Sequence, residues 1–279
     1  MKKYLSYLVI TSSLTLSACS TINYSSQNFV PHDVNKITHL KSIALDYQID
    51  NLEFVQSDGA ISRGVYWHKP NAEITVLYLM GSGVRLDANG TYFMKPFMGL
   101  NANVISFDYR GFGRSDSADK AHGLKETQDD VLALYDHVRK MVKGKLIVHG
   151  HSFGSFVAAK LASLRPLDAL VLEGTGTTAQ AYGDNLVPWF AKPFITIQLD
   201  PELRSIDNRA ALQNVTTPIL IINGSDDKQT PEHTARDLFD SLKKPNKRYE
   251  KAVGMGHMIA MTKTETIMAY RAFLGGRYE

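Results

Sequence analysis

Residues 146–154 read Leu-Ile-Val-His-Gly-His-Ser-Phe-Gly, a short apolar run that ends in a Gly-x-Ser-x-Gly sequence. Apolar residues then recur with helical spacing at Val157, Leu161 and Leu164. The pattern predicts a strand, a sharp turn and a helix, with Ser152 at the tip of the turn. Glycine is required on both sides of the serine because the strand and the helix pack closely there, so side chains would clash.

Short apolar runs alternate with helical patterns along most of the chain. Three early runs, at residues 51–56, 61–68 and 74–80, are typical of an antiparallel beginning to a sheet. Later runs bounded by Gly or Pro lie at residues 104–108, 146–149, 169–173, 219–223 and, more weakly, 248–253. Strands that alternate with helices predict an α/β fold, with a mostly parallel central sheet and helices on both faces.

Two helix starts are predicted from local signals. Thr127 and Asp130 have the spacing of a capping box before the apolar positions Val131 to Val138. Thr230-Pro231 supplies an N-cap and a first-turn proline for a later helix. Residues 175–215 break the alternation, which is expected either of a small cap inserted over the sheet or of a plain loop.

Three residue types for nucleophilic catalysis occur in a compatible order. A serine hydroxyl attacks only when a base removes its proton, and a carboxylate must orient that base. After Ser152, one strand is followed by a loop that holds Asp226 and Asp227, and a later glycine-rich loop holds His257. Glu173 ends another strand, so it is a third candidate for the acid.

The chain resembles the α/β-hydrolase superfamily over nearly all of residues 50–275. The resemblance lies in the Gly-x-Ser-x-Gly turn, the Asp and His loops, Met80-Gly81-Ser82-Gly83 and the segment Phe107-Asp108-Tyr109-Arg110-Gly111-Phe112-Gly113-Arg114-Ser115. It implies the α/β-hydrolase fold with a small cap, and a serine hydrolase with Ser152 as nucleophile and His257 as base. The family pattern favours Asp227 over Asp226, while some relatives use the position of Glu173.

The same resemblance implies an oxyanion hole made by the backbone N–H groups of Phe153 and Ser82. Met80 stands where the family usually has a histidine. Asp108 and Arg110 are expected to shape a turn rather than to react. No metal or organic cofactor is expected. The apolar residues at 186–199 indicate either a short acyl pocket or a segment that covers the core.

The first twenty residues have the layout of a bacterial export signal. Lys2 and Lys3 precede an apolar stretch, and Leu16-Ser17-Ala18-Cys19 resembles the lipobox of bacterial lipoproteins. This predicts a signal peptide over residues 1–18 and a lipid on Cys19, which is the single cysteine of the chain. Residues 19–45 are then expected to form a lipidated tether, and residues 46–279 the folded domain. Ser20 after the cysteine favours the outer membrane, with the domain facing the periplasm.

Composition excludes several other classes. The formal charge of +3, from 31 basic and 28 acidic residues, is too balanced for a nucleic-acid-binding protein. A single cysteine excludes intramolecular disulfides and zinc-ribbon sites.

The sequence therefore predicts a serine hydrolase that cleaves small-molecule acyl esters or thioesters through an acyl-enzyme and is bound to the membrane through its N-terminal lipid. The alternatives are a non-catalytic, lipid-tethered binding protein on a hydrolase scaffold and a peptidase that uses the same triad.

Overall fold

The computed structural model describes residues 20–25, 33–34, 46–118, 122–188 and 190–278. The predicted signal peptide, residues 1–18, and the predicted lipid site, Cys19, lie outside the described residues, as does most of the predicted tether.

The elements follow one another in the order of an α/β protein. The strands in the described residues are β1 (Ser20–Tyr24), β2 (Asp33–Val34), β3 (Gln48–Val55), β4 (Ile61–His68), β5 (Ile74–Leu79), β6 (Ala102–Phe107), β7 (Phe112–Gly113), β8 (Lys145–His151), β9 (Ala169–Glu173), β10 (Ile195–Leu199), β11 (Ile219–Gly224) and β12 (Lys247–Ala252). The α-helices are α1 (Thr91–Met94), α2 (Leu124–Met141), α3 (Phe153–Leu164), α4 (Ala179–Leu186), α5 (Pro201–Arg204), α6 (Asn208–Leu212), α7 (Glu232–Ser241) and α8 (Thr264–Leu274).

Eight strands form the central sheet in the order β12-β11-β9-β8-β5-β6-β4-β3. β4 is antiparallel to both β3 and β6, and every other neighbouring pair is parallel. The predicted antiparallel beginning and the mostly parallel sheet are therefore confirmed. The carboxyl ends of the parallel strands lie at one edge, which is where open α/β sheets build their sites.

The central strands are apolar along their whole length because both faces of the sheet are covered. In β11 all six residues are buried. Successive side chains of a strand point to opposite faces, so Leu220 packs in one core with Tyr270 and Phe273 of α8. Ile221 packs in the other core with residues of α2, α3 and α7. Helices therefore cover both faces, as predicted.

Two predicted helix starts are wrong in detail. Helix α2 begins three residues before Thr127, and its N-cap residue is Gly123, whose N–H donates to the Glu126 carboxylate at 2.9 Å. Thr127 lies inside the helix and its hydroxyl donates to the Gly123 carbonyl at 2.9 Å. Helix α7 begins at Glu232 after Pro231, and the Thr230 hydroxyl bonds elsewhere.

Residues between β9 and β11 form α4, β10, α5 and α6, which we call the cap. β1 pairs in parallel with β10, with Ser20 opposite Ile195 and Tyr24 opposite Leu199. The prediction of a tether over residues 19–45 is therefore wrong for residues 20–24, which are a strand paired with the cap, while most of the other tether residues lie outside the described part of the chain. Thr21, Ile22 and Tyr24 are of types enriched in strands, but the run is short and lies in a Ser- and Asn-rich segment, and its pairing depends on a strand edge supplied some 175 residues later by β10.

No helix in the described part of the chain is both long enough and apolar enough to cross a membrane.

Candidate active site

Ser152 lies at the tip of the sharp turn between β8 and α3. Its backbone has φ 52° and ψ −120°, a conformation that costs free energy in any residue except glycine and that projects the side chain away from the sheet. The turn is held by the Ser152 N–H, which donates to the Glu173 carbonyl at 2.9 Å. Gly154 is required because a Cβ there would overlap the carbonyl oxygen of Leu79 on the neighbouring strand. The predicted strand, turn and helix are thus all present.

The loops after β11 and β12 bring Asp227 and His257 to this serine. The Ser152 Oγ lies 2.8 Å from His257 Nε2, and His257 Nδ1 lies 2.7 Å from Asp227 Oδ2. A carboxylate only accepts hydrogen bonds, so Nδ1 donates to Asp227. Nε2 is then free to accept the serine proton. The three residues come from positions separated by 105 and 30 residues in the chain.

Asp227 is almost completely buried, yet its carboxylate is well supplied with donors. The backbone N–H groups of Gln229 and Thr230 each donate to Oδ1 at 2.8 Å, and the Thr230 hydroxyl donates to Oδ2 at 2.6 Å. Burial by itself raises the pKa of Asp227. The hydrogen bond and charge of His257, together with the hydrogen bonds from Thr230, outweigh burial, so the pKa of Asp227 is lowered. The carboxylate is therefore charged and suited to hold the imidazole.

The two alternative acids have other partners. Asp226 is exposed and its carboxylate accepts from the Ser225 hydroxyl at 2.8 Å. Glu173 lies under the turn, where Oε2 is 3.1 Å from Nε2 of the fully buried His149. Burial raises the pKa of Glu173, but the hydrogen bond and charge of the neighbouring histidines lower it below its ordinary value. Among these acids, only Asp227 contacts His257.

His151, the residue before the serine, supports the His257 loop. Its Nε2 donates to the His257 carbonyl at 2.9 Å. Burial lowers the pKa of His151, so the ring is neutral and carries its proton on Nε2. This side chain fixes the backbone of the residue that faces Ser152.

The loop that carries Ser82 follows β5 and is held at three points. The Tyr109 hydroxyl donates to the Met80 carbonyl at 2.9 Å, and the Arg85 guanidinium donates to the Ser82 carbonyl at 2.8 Å. The third point is Asp108, whose carboxylate accepts from the backbone N–H groups of Leu86 and Arg114 at 3.0 and 2.9 Å. Asp108 is fully buried. It thus joins two loops, which agrees with its expected structural role.

Ser82, Ser152 and Phe153 line the same cavity, of about 140 Å³. Phe153 is the first residue of α3, and the N–H groups of a first helical turn point out of the helix toward its N-terminal end. The rest of the wall is apolar and comes mostly from the cap, including Tyr182, Ile197, Leu199 and Leu203. The arrangement places the Ser152 hydroxyl, within hydrogen-bond distance of His257, at the wall of an apolar cavity.

Three residues of this site were not found by sequence reasoning. Tyr24 of β1 lines the cavity, although its segment was expected to be a tether. Thr230 was predicted as a helix cap, and Arg85 carried no motif. The only sequence signal for Thr230 is its place in the pattern around Asp227, and we find none for Tyr24 or Arg85.

Within the described residues, no group of three or more His, Cys, Asp and Glu side chains is arranged to hold a metal ion.

Comparison with known proteins agrees with this architecture. A family described as serine aminopeptidase, S33, matches residues 90–205. The lysophosphatidylserine lipase ABHD12 of Danio rerio is 29% identical over 180 residues, which cover 59% of this chain and 46% of that protein. The chain thus matches less than half the length of this relative.

Among solved structures, the Pyrococcus furiosus esterase Pf2001 superposes with a TM-score of 0.67 at 21% identity, covering 89% of this chain and 98% of the esterase. The structure of DcsB in complex with its substrate analogue gives a TM-score of 0.62 at 17% identity and covers 83% of this chain and 99% of DcsB. The chain has the α/β-hydrolase fold. Its neighbours in sequence and structure include esterases and lipases.

Proposed function

We propose that this chain is a serine hydrolase that cleaves carboxylic esters or thioesters of apolar acyl groups. The observation that carries the proposal is the continuous chain of hydrogen bonds from Ser152 through His257 to Asp227 at the wall of an apolar cavity. The lipase and esterase names of its relatives support an acyl ester as substrate.

In the proposed reaction, the Ser152 Oγ attacks the acyl carbonyl carbon while its proton passes to His257 Nε2. The negative charge on the carbonyl oxygen is stabilised by the N–H groups of Phe153 and Ser82. The imidazolium then gives its proton to the leaving oxygen or sulfur as that bond breaks, which leaves an acyl-enzyme. Water attacks the acyl-enzyme through the same steps, and Ser152 recovers its proton.

Labelling with a fluorophosphonate probe tests for an activated serine. We expect the folded full chain to be labelled, and Ser152→Ala to abolish both labelling and ester turnover. Ser163→Ala is the matched control, because Ser163 is an exposed residue of the same helix and should leave both unchanged. Absence of labelling in the folded wild-type protein would favour the non-catalytic binding protein.

A peptidase is the second candidate, because the family that matches residues 90–205 is described as a serine aminopeptidase. A panel of short esters, thioesters, a lysophospholipid, amides and peptides with a free N-terminus separates the two. Ester or thioester turnover that exceeds amide turnover by orders of magnitude supports the proposal, whereas comparable rates would contradict it.

We further propose that Cys19 carries a lipid and holds the domain at the bacterial outer membrane, facing the periplasm. The support is the Leu-Ser-Ala-Cys sequence at residues 16–19. Metabolic labelling with an alkyne fatty acid should modify the wild-type chain and spare Cys19→Ala. Fractionation of the two membranes tests the location separately.

A further inference from the structure

A short turn before β10 exposes two aromatic side chains. The side chains of Phe190 and Phe194 are 64% and 52% exposed, and Lys192 between them is exposed as well. The turn is fixed by backbone hydrogen bonds, in which the Ala191 N–H donates to the Pro188 carbonyl at 2.8 Å and the Phe194 N–H donates to the Ala191 carbonyl at 2.9 Å. We call residues 190–194 the aromatic turn.

The aromatic turn lies at the end of the cap where β1 begins. β1 and β10 are parallel, so both strands start at the same end, and the Ser20 N–H donates to the Phe194 carbonyl at 2.8 Å. Cys19 is joined to Ser20 by a peptide bond, which places their Cα atoms about 3.8 Å apart. A lipid on Cys19 would therefore start one residue away from the aromatic turn, with no tether between them.

The opposite end of the same pair of strands reaches the candidate active site. Tyr24 and Leu199 are paired and both line the cavity beside Ser152. Four residue steps separate Ser20 from Tyr24, a distance of roughly 13 Å along a strand. A membrane that meets the aromatic turn would thus lie close to the cavity.

We propose that the aromatic turn is a membrane-contact surface, which holds the cap against the lipid bilayer so that acyl substrates reach the cavity from the membrane. Aromatic side chains beside a lysine suit this partner, because the rings partition into the interface while the ammonium group meets lipid phosphates. The second half of the proposal, substrate delivery, rests on the proposed hydrolase function. The first half, membrane contact, rests on the proposed lipid at Cys19 and not on the hydrolase function.

Tryptophan placed in the turn measures membrane contact. The full chain is reconstituted in phosphatidylglycerol–phosphatidylethanolamine vesicles with brominated acyl chains, as Phe190→Trp or Phe194→Trp. Val55→Trp and Met268→Trp are matched controls, because these side chains are 62% and 61% exposed on β3 and α8. We expect brominated lipid to quench the added fluorescence of the two turn variants and not that of the controls. Equal quenching at all four positions, or no quenching at any of them, would overturn membrane contact. The aromatic turn would then bind some other partner.

Turnover of a soluble ester and of a membrane-embedded ester, measured side by side, tests whether substrates reach the cavity from the membrane. The double variant Phe190→Ser/Phe194→Ser should hydrolyse a soluble short-chain ester within about twofold of the wild type, and a vesicle-embedded acyl ester at least about fivefold more slowly. Val55→Ser/Met268→Ser should match the wild type on both substrates. Delivery from the membrane would be contradicted if the turn variant, unlike the control variant, lost both activities. It would also be contradicted if the turn variant lost neither activity. If the wild type hydrolyses no ester at all, the hydrolase proposal fails while the quenching result still decides the contact.

Discussion

Asp227 differs from the other acids near the site in what its carboxylate contacts. It accepts from His257, from the Thr230 hydroxyl and from two backbone N–H groups, whereas Glu173 faces His149. We expect Asp227→Asn to lower kcat by roughly 10³- to 10⁴-fold, because an amide can favour the wrong imidazole tautomer. Steady-state kinetics with a soluble ester measure this effect.

Glu173→Gln is the matched control for Asp227→Asn. The amide oxygen of glutamine can still accept from His149, so we expect kcat within about tenfold of the wild type in the folded protein. A fall in kcat as large as that of Asp227→Asn, with circular dichroism unchanged, would instead give the orienting role to Glu173.

Asp108 makes the stability of the fold depend on pH. Burial raises the pKa of its carboxyl from 3.8 to about 6, against the lowering effect of two backbone N–H donors. Between these two pH values the folded chain keeps a proton that the unfolded chain has released. Its contribution to stability is therefore fully present below pH 3.8 and is lost as the pH rises through about 6.

Comparison of the wild type with Asp108→Asn isolates this effect. The free energy of unfolding of the wild type should exceed that of the variant more at pH 4 than at pH 7, and the difference should shrink by roughly 2 kcal/mol between these two pH values. Urea unfolding at the two pH values gives both numbers. A difference that grows toward pH 7 would show that the buried carboxyl is stabilised in its charged form.

At the scale of single elements, β1 is the segment for which the structure differs most from the prediction made from sequence. Five residues without an apolar pattern become a strand of the cap, and its last residue, Tyr24, forms part of the cavity wall. The segment thus connects the predicted lipid site to the candidate active site.

Truncation of Tyr24 should change acyl specificity. Tyr24→Ala removes one side of the apolar wall, so we expect kcat/KM for short acyl esters to fall by about tenfold and the preference to move toward longer chains. Tyr24→Phe keeps the ring and should retain the profile of the wild type. A series of esters of increasing acyl length measures this, and an unchanged profile in Tyr24→Ala would place the acyl group elsewhere.

At the scale of the whole molecule, one sheet separates two apolar cores. Leu220 and Ile221 are neighbours on β11, both are fully buried, and they belong to opposite cores. Because the sheet is shared, damage to either core should weaken the entire domain rather than one side of it.

We expect Leu220→Ala and Ile221→Ala each to lower the free energy of unfolding by about 2–5 kcal/mol. Both should do so within a single transition, seen at the same urea concentration by tryptophan fluorescence and by helical circular dichroism. Separate transitions for the two signals, in either variant, would mean that the two faces unfold independently.

Much of the fold could be predicted because its signals are local. The strand, turn and helix around Ser152 follow from glycines and apolar residues within some twenty positions, and so do most other strands. Helix starts are predicted less accurately, because Thr127 and Thr230 have capping spacing but neither caps a helix: Thr127 lies inside α2, and α7 begins after Pro231 without a side-chain cap.

The sequence by itself determined the α/β order, the turn that exposes Ser152 and the loops that hold Asp227 and His257, because chain neighbours and strand periodicity fix these features. Only the tertiary structure decided which acid meets the histidine, that Arg85 holds the Ser82 loop and that β1 joins the cap. The first and last of these contacts join segments that lie 30 and 175 residues apart in the chain, and the Arg85 contact depends on how its loop folds back on itself, so no local sequence pattern encodes them.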